Sequence, residues 1–337
     1  MTKYYYRPLV QTGQKRPPDA VSLAGGPCWF TQVEVLQRAQ EPYFVEAARL
    51  PADVLMRLED ARAPIAGIGL ETPRLMGILN VTPDSFSDGG RFNGAAMALQ
   101  HAQAMASSGA DIIDIGGEST RPGAHEVPRD AEIARTTPVI KAVRSVLETP
   151  ISIDTRKAEV AKAACDAGAT MVNDVSGFTF DTGLAPFCAA RDLPVFVMHS
   201  QGGPETMQDN PSYEDVVFDV YDFLEGRIQN LMEAGLPRER IVVDPGIGFG
   251  KKIEHNLALL ANLSVFHSLG CAILLGISRK GFIHKIGGAE EPDARMPGSI
   301  AVGLAGVAQG VQLLRVHDVA ETKQALKLWL AAIRGDC

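Results

Sequence analysis

Residues 76–90 read MGILNVTPDSFSDGG. An apolar run of Met76, Ile78 and Leu79 ends on Asn80, turns through Pro83 and becomes polar and glycine-rich. The run has the length and composition of a buried strand. A strand that ends on a carboxamide and opens into a long polar loop does more than connect. The same arrangement recurs along the chain.

Short apolar runs occur at Leu75–Leu79, Ile112–Ile115, Ile151–Ile153, Met171–Val172, Val195–Met198, Ile241–Val243, Ile273–Leu275 and Gln312–Leu314. Helix-like stretches separate them: Ala95–Ser107, Asp130–Leu147, Lys157–Ala167, Tyr213–Ala234, Asn256–Leu269, Ser299–Ala308 and Val319–Ile333. Strand–helix alternation at this interval implies βαβ units and a parallel sheet. Runs that are apolar at nearly every position suit strands covered on both faces. Eight units over roughly 260 residues predict an α/β fold of the (β/α)8, or TIM barrel, type. The competing architecture is an open doubly wound sheet, but no G-x-G-x-x-G follows a strand, which weakens its dinucleotide-binding version. The barrel spans 74–337. Residues 1–73 form an N-terminal extension of unknown role, rich in Gly and Pro over 13–27 and weakly helical in pattern over Val33–Leu58.

The 337 residues allow a large core without covalent staples. Apolar content of 46% and charged content of 21% read as globular. A net charge of -8 argues against a general nucleic-acid or anionic-membrane surface. The five cysteines (28, 165, 188, 271 and 337) form no CxxC pair, so neither a disulfide framework nor a zinc site is indicated. The opening MTKYYYRPLVQTGQKRPPD has no apolar stretch of the signal-peptide kind, and no run reaches membrane-spanning length. The expected location is the cytoplasm.

In a barrel of this type the chemistry sits where strands end. After the successive runs stand Asn80; Glu118, Ser119, Thr120 and Arg121; Asp154; Asn173 and Asp174; His199 and Ser200; Asp244; Ser278, Arg279 and Lys280; and Arg315, His317 and Asp318. One Asp or Asn after a strand is commonly a cap or turn former, and Asp174 and Asp318 fit that role. Eight strands ending this way indicate one shared polar pocket. Asp154, Asn173 and Asp244 suit a planar heterocycle with a guanidine-like edge. Lys280, Arg315 and His317 follow the last two strands, where this fold often binds phosphate. Asn80 offers a neutral oxygen to a Mg²⁺ that keeps most of its waters. Two lookalikes are set aside. The run GIGFGK (246–251) lacks phosphate-loop spacing, so its glycines serve close backbone approach. His199 and His255 have no second metal ligand nearby in sequence and read as satisfied or surface histidines.

In order, MGILNVTPDSFSDGG, DIIDIGGESTRPGA, ISIDTRK, VNDVSG, VMHSQGGPETMQDNP, DPGIGFGK, GISRKGFI and LLRVHDV closely resemble the dihydropteroate synthases, enzymes of folate biosynthesis and sulfonamide targets. The resemblance implies a pterin-binding barrel, a homodimer, and small-molecule substrates: 6-hydroxymethyl-7,8-dihydropterin diphosphate and p-aminobenzoate. It implies catalytic roles for Asp154, Lys280, Thr120 and Arg121. Pterin and diphosphate would be bound by Thr120, Asp154, Asn173, Asp244, Lys280, Arg315 and His317. Thr120, Arg121, Gly248, Phe249 and Ser278 would bind p-aminobenzoate, and Asn80 would bind Mg²⁺. Ser85, Ser87 and Asp88 fit a loop that covers the reacting centre. Ser200 and Gly281 stand where larger or different residues are common in the family. Two other functions share parts of the pattern: a methyltetrahydrofolate:corrinoid methyltransferase-like domain, which has no diphosphate to hold, and a non-catalytic pterin-binding subunit.

Overall fold

The computed structural model describes residues 3–82, 90–119, 123–203 and 205–335, with side chains of the second stretch from residue 94. The N-terminal extension is a small β layer followed by one helix. Strands β1 (Tyr5–Pro8), β4 (Gln32–Leu36) and β5 (Tyr43–Glu46) form an antiparallel sheet in the order β1-β4-β5, and β2 (Val21–Ser22) pairs with β3 (Trp29–Phe30). Helix α1 is confined to Ala52–Glu59. The helical pattern expected over Val33–Leu58 is therefore corrected: its first half is strand. Val33 and Val35, and then Tyr43, Phe44 and Val45, are β-formers that gain more from pairing with β1 and with each other than from a weak amphipathic helix.

From Arg74 onward the expected barrel forms. Parallel strands β6 (Arg74–Asn80), β7 (Ile112–Gly116), β8 (Ile151–Asp154), β9 (Met171–Asp174), β10 (Val195–Met198), β11 (Ile241–Asp244), β12 (Ala272–Leu275) and β13 (Leu313–Val316) close on themselves, β13 pairing with β6. Helices α2 (Gly90–Ser107), α3 (Arg129–Arg144), α4 (Ala158–Ala167), α5 (Leu184–Ala190), α6 (Val216–Glu233), α7 (Ile253–Ala261), α8 (Gly281–Gly287), α9 (Met296–Val307) and α10 (Val319–Arg334) alternate with the strands. The helix expected over Asn256–Leu269 ends at Ala261 and continues as a 3₁₀ turn over Leu263–Leu269. Helices α5 and α8 had no expected counterpart. Each is seven residues long, α5 contains Pro186 and α8 begins and ends on glycine, so neither carries a legible amphipathic stripe.

Strand alternation sorts the barrel residues into two cores. Leu75, Leu79, Ile113, Ile115, Ile151, Ile153, Val197, Val243 and Leu275 pack outward against the helices. Met76, Ile112, Met171, Phe196, Val242, Leu274 and Leu313 pack inward and form the barrel floor. Ile65 and Leu70 of the extension belong to that same inner cluster, so the segment before β6 seals the bottom of the barrel. A local antiparallel bridge between Ile65 and Ile68 shapes this plug. The rest of the extension has its own small core of Leu23, Cys28, Phe30, Val33, Val54 and Leu58.

If the plug is part of the barrel core, Ile65→Ala leaves an unfilled cavity and costs about 2–5 kcal/mol. Urea unfolding checks this. A midpoint unchanged from wild type would show that the extension does not share the barrel's core.

Candidate active site

Inward positions one layer above the floor are polar. The register aligns Gly116 with Asp154, Asp154 with Asn173 and Met198 with Asp244, so neighbouring strands deliver their polar ends to one rim. The interaction at the centre is a shared guanidinium. Arg315 at the end of β13 donates through Nε to Asp114 Oδ2 at 2.7 Å and through Nη2 to Asp154 Oδ2 at 2.8 Å. Asn173 Nδ2 donates to the same Asp114 oxygen at 3.0 Å. Asp114 is wholly buried, and its Oδ1 has no partner among the described residues. That leaves a buried acceptor beside the Arg315 and Asn173 contacts.

Charge in this pocket is finely balanced. Three carboxylates, Asp114, Asp154 and Asp244, face two cations, Arg315 and Lys280. Burial pushes Asp154 up to about 7, with Arg315 opposing and Asp114 reinforcing the rise. Burial also raises Asp244, partly offset by the Gly246 N–H, which donates to its Oδ1 at 2.7 Å. Arg315 remains protonated, since its carboxylate partners outweigh its burial. Lys280 is lowered to about 8 by burial, against the pull of Asp244. A pocket with one more acid than base is prepared for a ligand edge that is cationic or rich in N–H groups.

Lys280 stands immediately before α8, with its Nζ 3.9 Å from the centroid of the Phe249 ring. Gly248, with φ +83°, runs past the lysine stem; a Cβ there would lie 3.2 Å from Lys280 Cδ. The glycines of GIGFGK permit close approach, as expected. A Cβ on Gly246 would fall 1.9 Å from the His199 carbonyl oxygen. The loop is tied from inside by Lys251, whose Nζ donates to the Gly246 and Phe249 carbonyls at 2.9 and 3.0 Å and meets His199 Nδ1 at 2.8 Å. Burial and the adjacent lysine keep His199 neutral, so it is the satisfied histidine anticipated.

Ser278 and His317 meet across β12 and β13. Ser278 Oγ accepts from the His317 backbone N–H at 3.1 Å and lies 3.0 Å from its Nδ1. Burial, reinforced by Arg315, pushes His317 down to about 3. It is therefore a neutral hydrogen-bonding group rather than a cation. Asp174 turns outward and caps its own loop, accepting from Ser176 and Phe178 N–H at 2.7 and 2.8 Å. Asp318 accepts from Arg279 and takes no part in the pocket's bonds. Asn80 ends β6 beside Gly116. Thr120, Arg121, Ser85, Ser87 and Asp88 lie outside the described residues.

The pocket thus joins Asp154, Asn173, Asp244, Lys280, Gly248 and Phe249, with Arg315, His317 and Ser278 on its β12–β13 side. Asp114 was not among the expected site residues. The signal was present: Ile112, Asp114 and Gly116 alternate in phase with the inward Met171 and Asn173. A buried network under the loop after β7 was also not anticipated. Glu118 pairs with both Arg156 and Lys157, and Lys157 reaches Glu132 at 2.8 Å. Its partners lie 38, 39 and 25 residues apart, beyond any local pattern.

Comparison with known proteins gives the fold and pocket a context. The pterin binding enzyme family matches residues 76–317. Dihydropteroate synthase of Escherichia coli (strain K12) is 43% identical over 261 residues, covering 77% of this chain and 92% of the relative. A solved Xanthomonas albilineans dihydropteroate synthase with 4-aminobenzoic acid superposes with a TM-score of 0.75 at 45% identity, covering 79% of this chain and 96% of that one. The enzyme of the same organism in complex with 7,8-dihydropteroate gives 0.72 and 42%, covering 79% and 95%.

Asp114→Ala would leave the Arg315 guanidinium short of one of its two buried counter-charges. We expect a loss of about 3 kcal/mol in unfolding free energy, the scale for breaking a buried ion pair. Chemical denaturation measures it, and stability equal to wild type would remove Asp114 from its anchoring role.

Proposed function

The chain belongs to the pterin binding enzyme family, among its dihydropteroate synthases, and on that premise we propose which residues carry the reaction. The enzyme condenses 6-hydroxymethyl-7,8-dihydropterin diphosphate with p-aminobenzoate to give 7,8-dihydropteroate and pyrophosphate. The observation that carries the residue assignment is Arg315 shared between Asp114 and Asp154, with Asp244 and Lys280 alongside. The corrinoid methyltransferase and non-catalytic readings fall away against this degree of identity, and Lys280, Arg315 and His317 give this chain a diphosphate side that a methyl carrier does not need.

The pterin's amino, ring N–H and carbonyl groups meet Asp154, Asn173 and Asp244, with the free Oδ1 of Asp114 as a further acceptor. The C–O bond from the methylene to diphosphate breaks first, and its electron pair leaves with the diphosphate. The positive charge left on the pterin is stabilised by ionised Asp154, a preorganised group in a water-poor pocket. Arg315 engages Asp114 and Asp154 through only two of its five N–H bonds, so others are free to turn to the leaving oxygens. His317 offers a neutral N–H, and Lys280 a charge near the bond that breaks. The amine nitrogen of p-aminobenzoate then forms the C–N bond and releases a proton, which leaves with pyrophosphate. Phe249, Gly248 and Ser278 border the second substrate; Thr120 and Arg121, assigned to it by resemblance, lie outside the described residues.

Mg²⁺ belongs to this proposal. Among the described residues no group of three His, Cys, Asp or Glu side chains is arranged to hold a metal. A single neutral oxygen at Asn80, on the strand between β7 and β13, fits an ion that keeps its waters and borrows phosphate oxygens. Bound there, the ion would neutralise charge on the departing diphosphate. A homodimer and a cytoplasmic location complete the proposal. The four described cysteines are unpaired, which accords with a reducing compartment, and no described helix is long and apolar enough to cross a membrane.

The direct test is formation of dihydropteroate and pyrophosphate in equal amounts from both substrates and Mg²⁺. Asp154→Asn should keep the fold and lose at least about 10²-fold in kcat, the scale of one electrostatic stabiliser. Near-normal turnover would remove the cation-stabilising role. Because Asp154 titrates near 7 in the free enzyme and acts ionised, kcat/KM should fall as pH drops through about 7. In Asp114→Asn, with the neighbouring like charge gone, that acid limb should move to lower pH; an unmoved limb would assign it to another group. Arg315→Lys keeps a charge but loses the fork. Calorimetry should show dihydropterin diphosphate binding weakened roughly tenfold, with the pterin alcohol changed much less. Equal losses would contradict the anion-binding role.

A further inference from the structure

The relatives named above are matched over 92–96% of their own length but 77–79% of this chain, and the family match begins at residue 76, after the N-terminal extension. One residue of that extension reaches towards the substrate site through an unbroken set of contacts. Arg38 follows β4 and points onto α6. Its Nη2 donates to Asp219 and Asp222, each at 2.8 Å, and its guanidinium lies 5.6 Å from the Phe218 ring centroid. Asp219 faces two ways. Through Oδ1 it holds Arg38; through Oδ2 it accepts from the backbone N–H of Glu214 at 3.0 Å and of Asp215 at 3.4 Å. The carboxylate therefore fixes the segment that leads into α6.

That segment is bolted to the loop carrying Phe249. Tyr213 donates through its hydroxyl to the Gly250 carbonyl at 2.6 Å. Ser212 and Gln201 exchange two hydrogen bonds of 2.9 and 3.0 Å. Gly250 sits so tightly against Gln201 that a Cβ would lie 2.4 Å from the Gln201 carbonyl oxygen. Next to Gly250 is Phe249, whose ring backs Lys280 and whose carbonyl is held by Lys251.

We propose that Arg38 is a positioning residue for the reaction. By holding Asp219 it sets the 212–215 segment, and through Tyr213 and Gly250 it sets the Phe249 ring beneath Lys280. This rests on the assignment of Phe249 and Lys280 to the substrate site. The extension then serves the mouth of the barrel as well as its floor.

The test uses the full chain below its melting temperature. Arg38→Ala should raise KM for p-aminobenzoate about three- to tenfold while kcat changes less than about twofold, and its effect should be non-additive with that of Tyr213→Phe, because the two share one path. Arg38→Lys, which can still meet Asp219, should recover most of the loss. Arg7→Ala is the stability control: it breaks an ion pair with Glu34 (2.6 Å) internal to the extension and should leave KM unchanged. Phe249→Leu tests the underlying assignment. If Phe249→Leu moves KM and Arg38→Ala does not, or if Arg7→Ala moves it equally, the Arg38 proposal is overturned. If Phe249→Leu leaves KM for p-aminobenzoate untouched, the site assignment itself fails.

Discussion

The pocket depends on one buried guanidinium. Asp114 and Asp154 stand on adjacent strands in an interior that disfavours charge, and neither has solvent to spread it. Alone, Asp154 would be driven toward its neutral form. Arg315 opposes that drive by donating to Asp154, and through Nε it also holds Asp114. It compensates them incompletely, which is why Asp154 sits high, near 7. An acid held at that point is reluctant to carry charge on its own and ready to carry it against a cation. The energetic cost of the arrangement falls on folding, since buried ion pairs repay their desolvation poorly. The benefit appears only when a positively charged species forms beside Asp154.

This constraint also explains how the barrel is layered. The floor is a dry apolar cluster from Met76 to Leu313, and the polar layer lies directly above it. Water entering from below would screen the charges of that layer. Ile65 and Leu70 close the floor, so the plug from the extension helps keep the electrostatics strong. The two ends of the barrel are thus coupled through dielectric as well as through packing.

Much of this was legible in the residues. The strands of the barrel were read at nearly their observed bounds because burial on both faces makes them continuously apolar. The polar ends after each strand marked the mouth, and Asp154, Asn173, Asp244, Lys280 and Arg315 do converge there. Asp114 was noted within its strand but given no site role, because it sits inside the strand rather than after it. Only alternation in phase with Met171 and Asn173 reveals that it points inward. The clamp between Lys251 and His199 spans 52 residues, and the union of Glu118 with Arg156 and Lys157 spans two loops. No periodicity encodes such contacts. The extension was misread for a different reason. Its strands are two to five residues long and pair only with one another, so their pattern is too brief to separate from a weak helix.

The distribution of glycine shows how backbone and chemistry are joined. Gly246, Gly248 and Gly250 all adopt positive φ, and each faces a different neighbour: the His199 carbonyl, the Lys280 stem and the Gln201 backbone. The loop after β11 is therefore a hub where two other parts of the chain, the loop after β10 and the Lys280 stem, touch bare backbone. Any side chain there would push one of them away. Because the neighbours include both a pocket lysine and the segment leading into α6, a shift in one reaches the other through a few stiff contacts. A loop built this way transmits position well but tolerates little change. Anchoring it from outside, at the far end of α6's lead-in, is a physical solution that leaves the pocket residues themselves unencumbered.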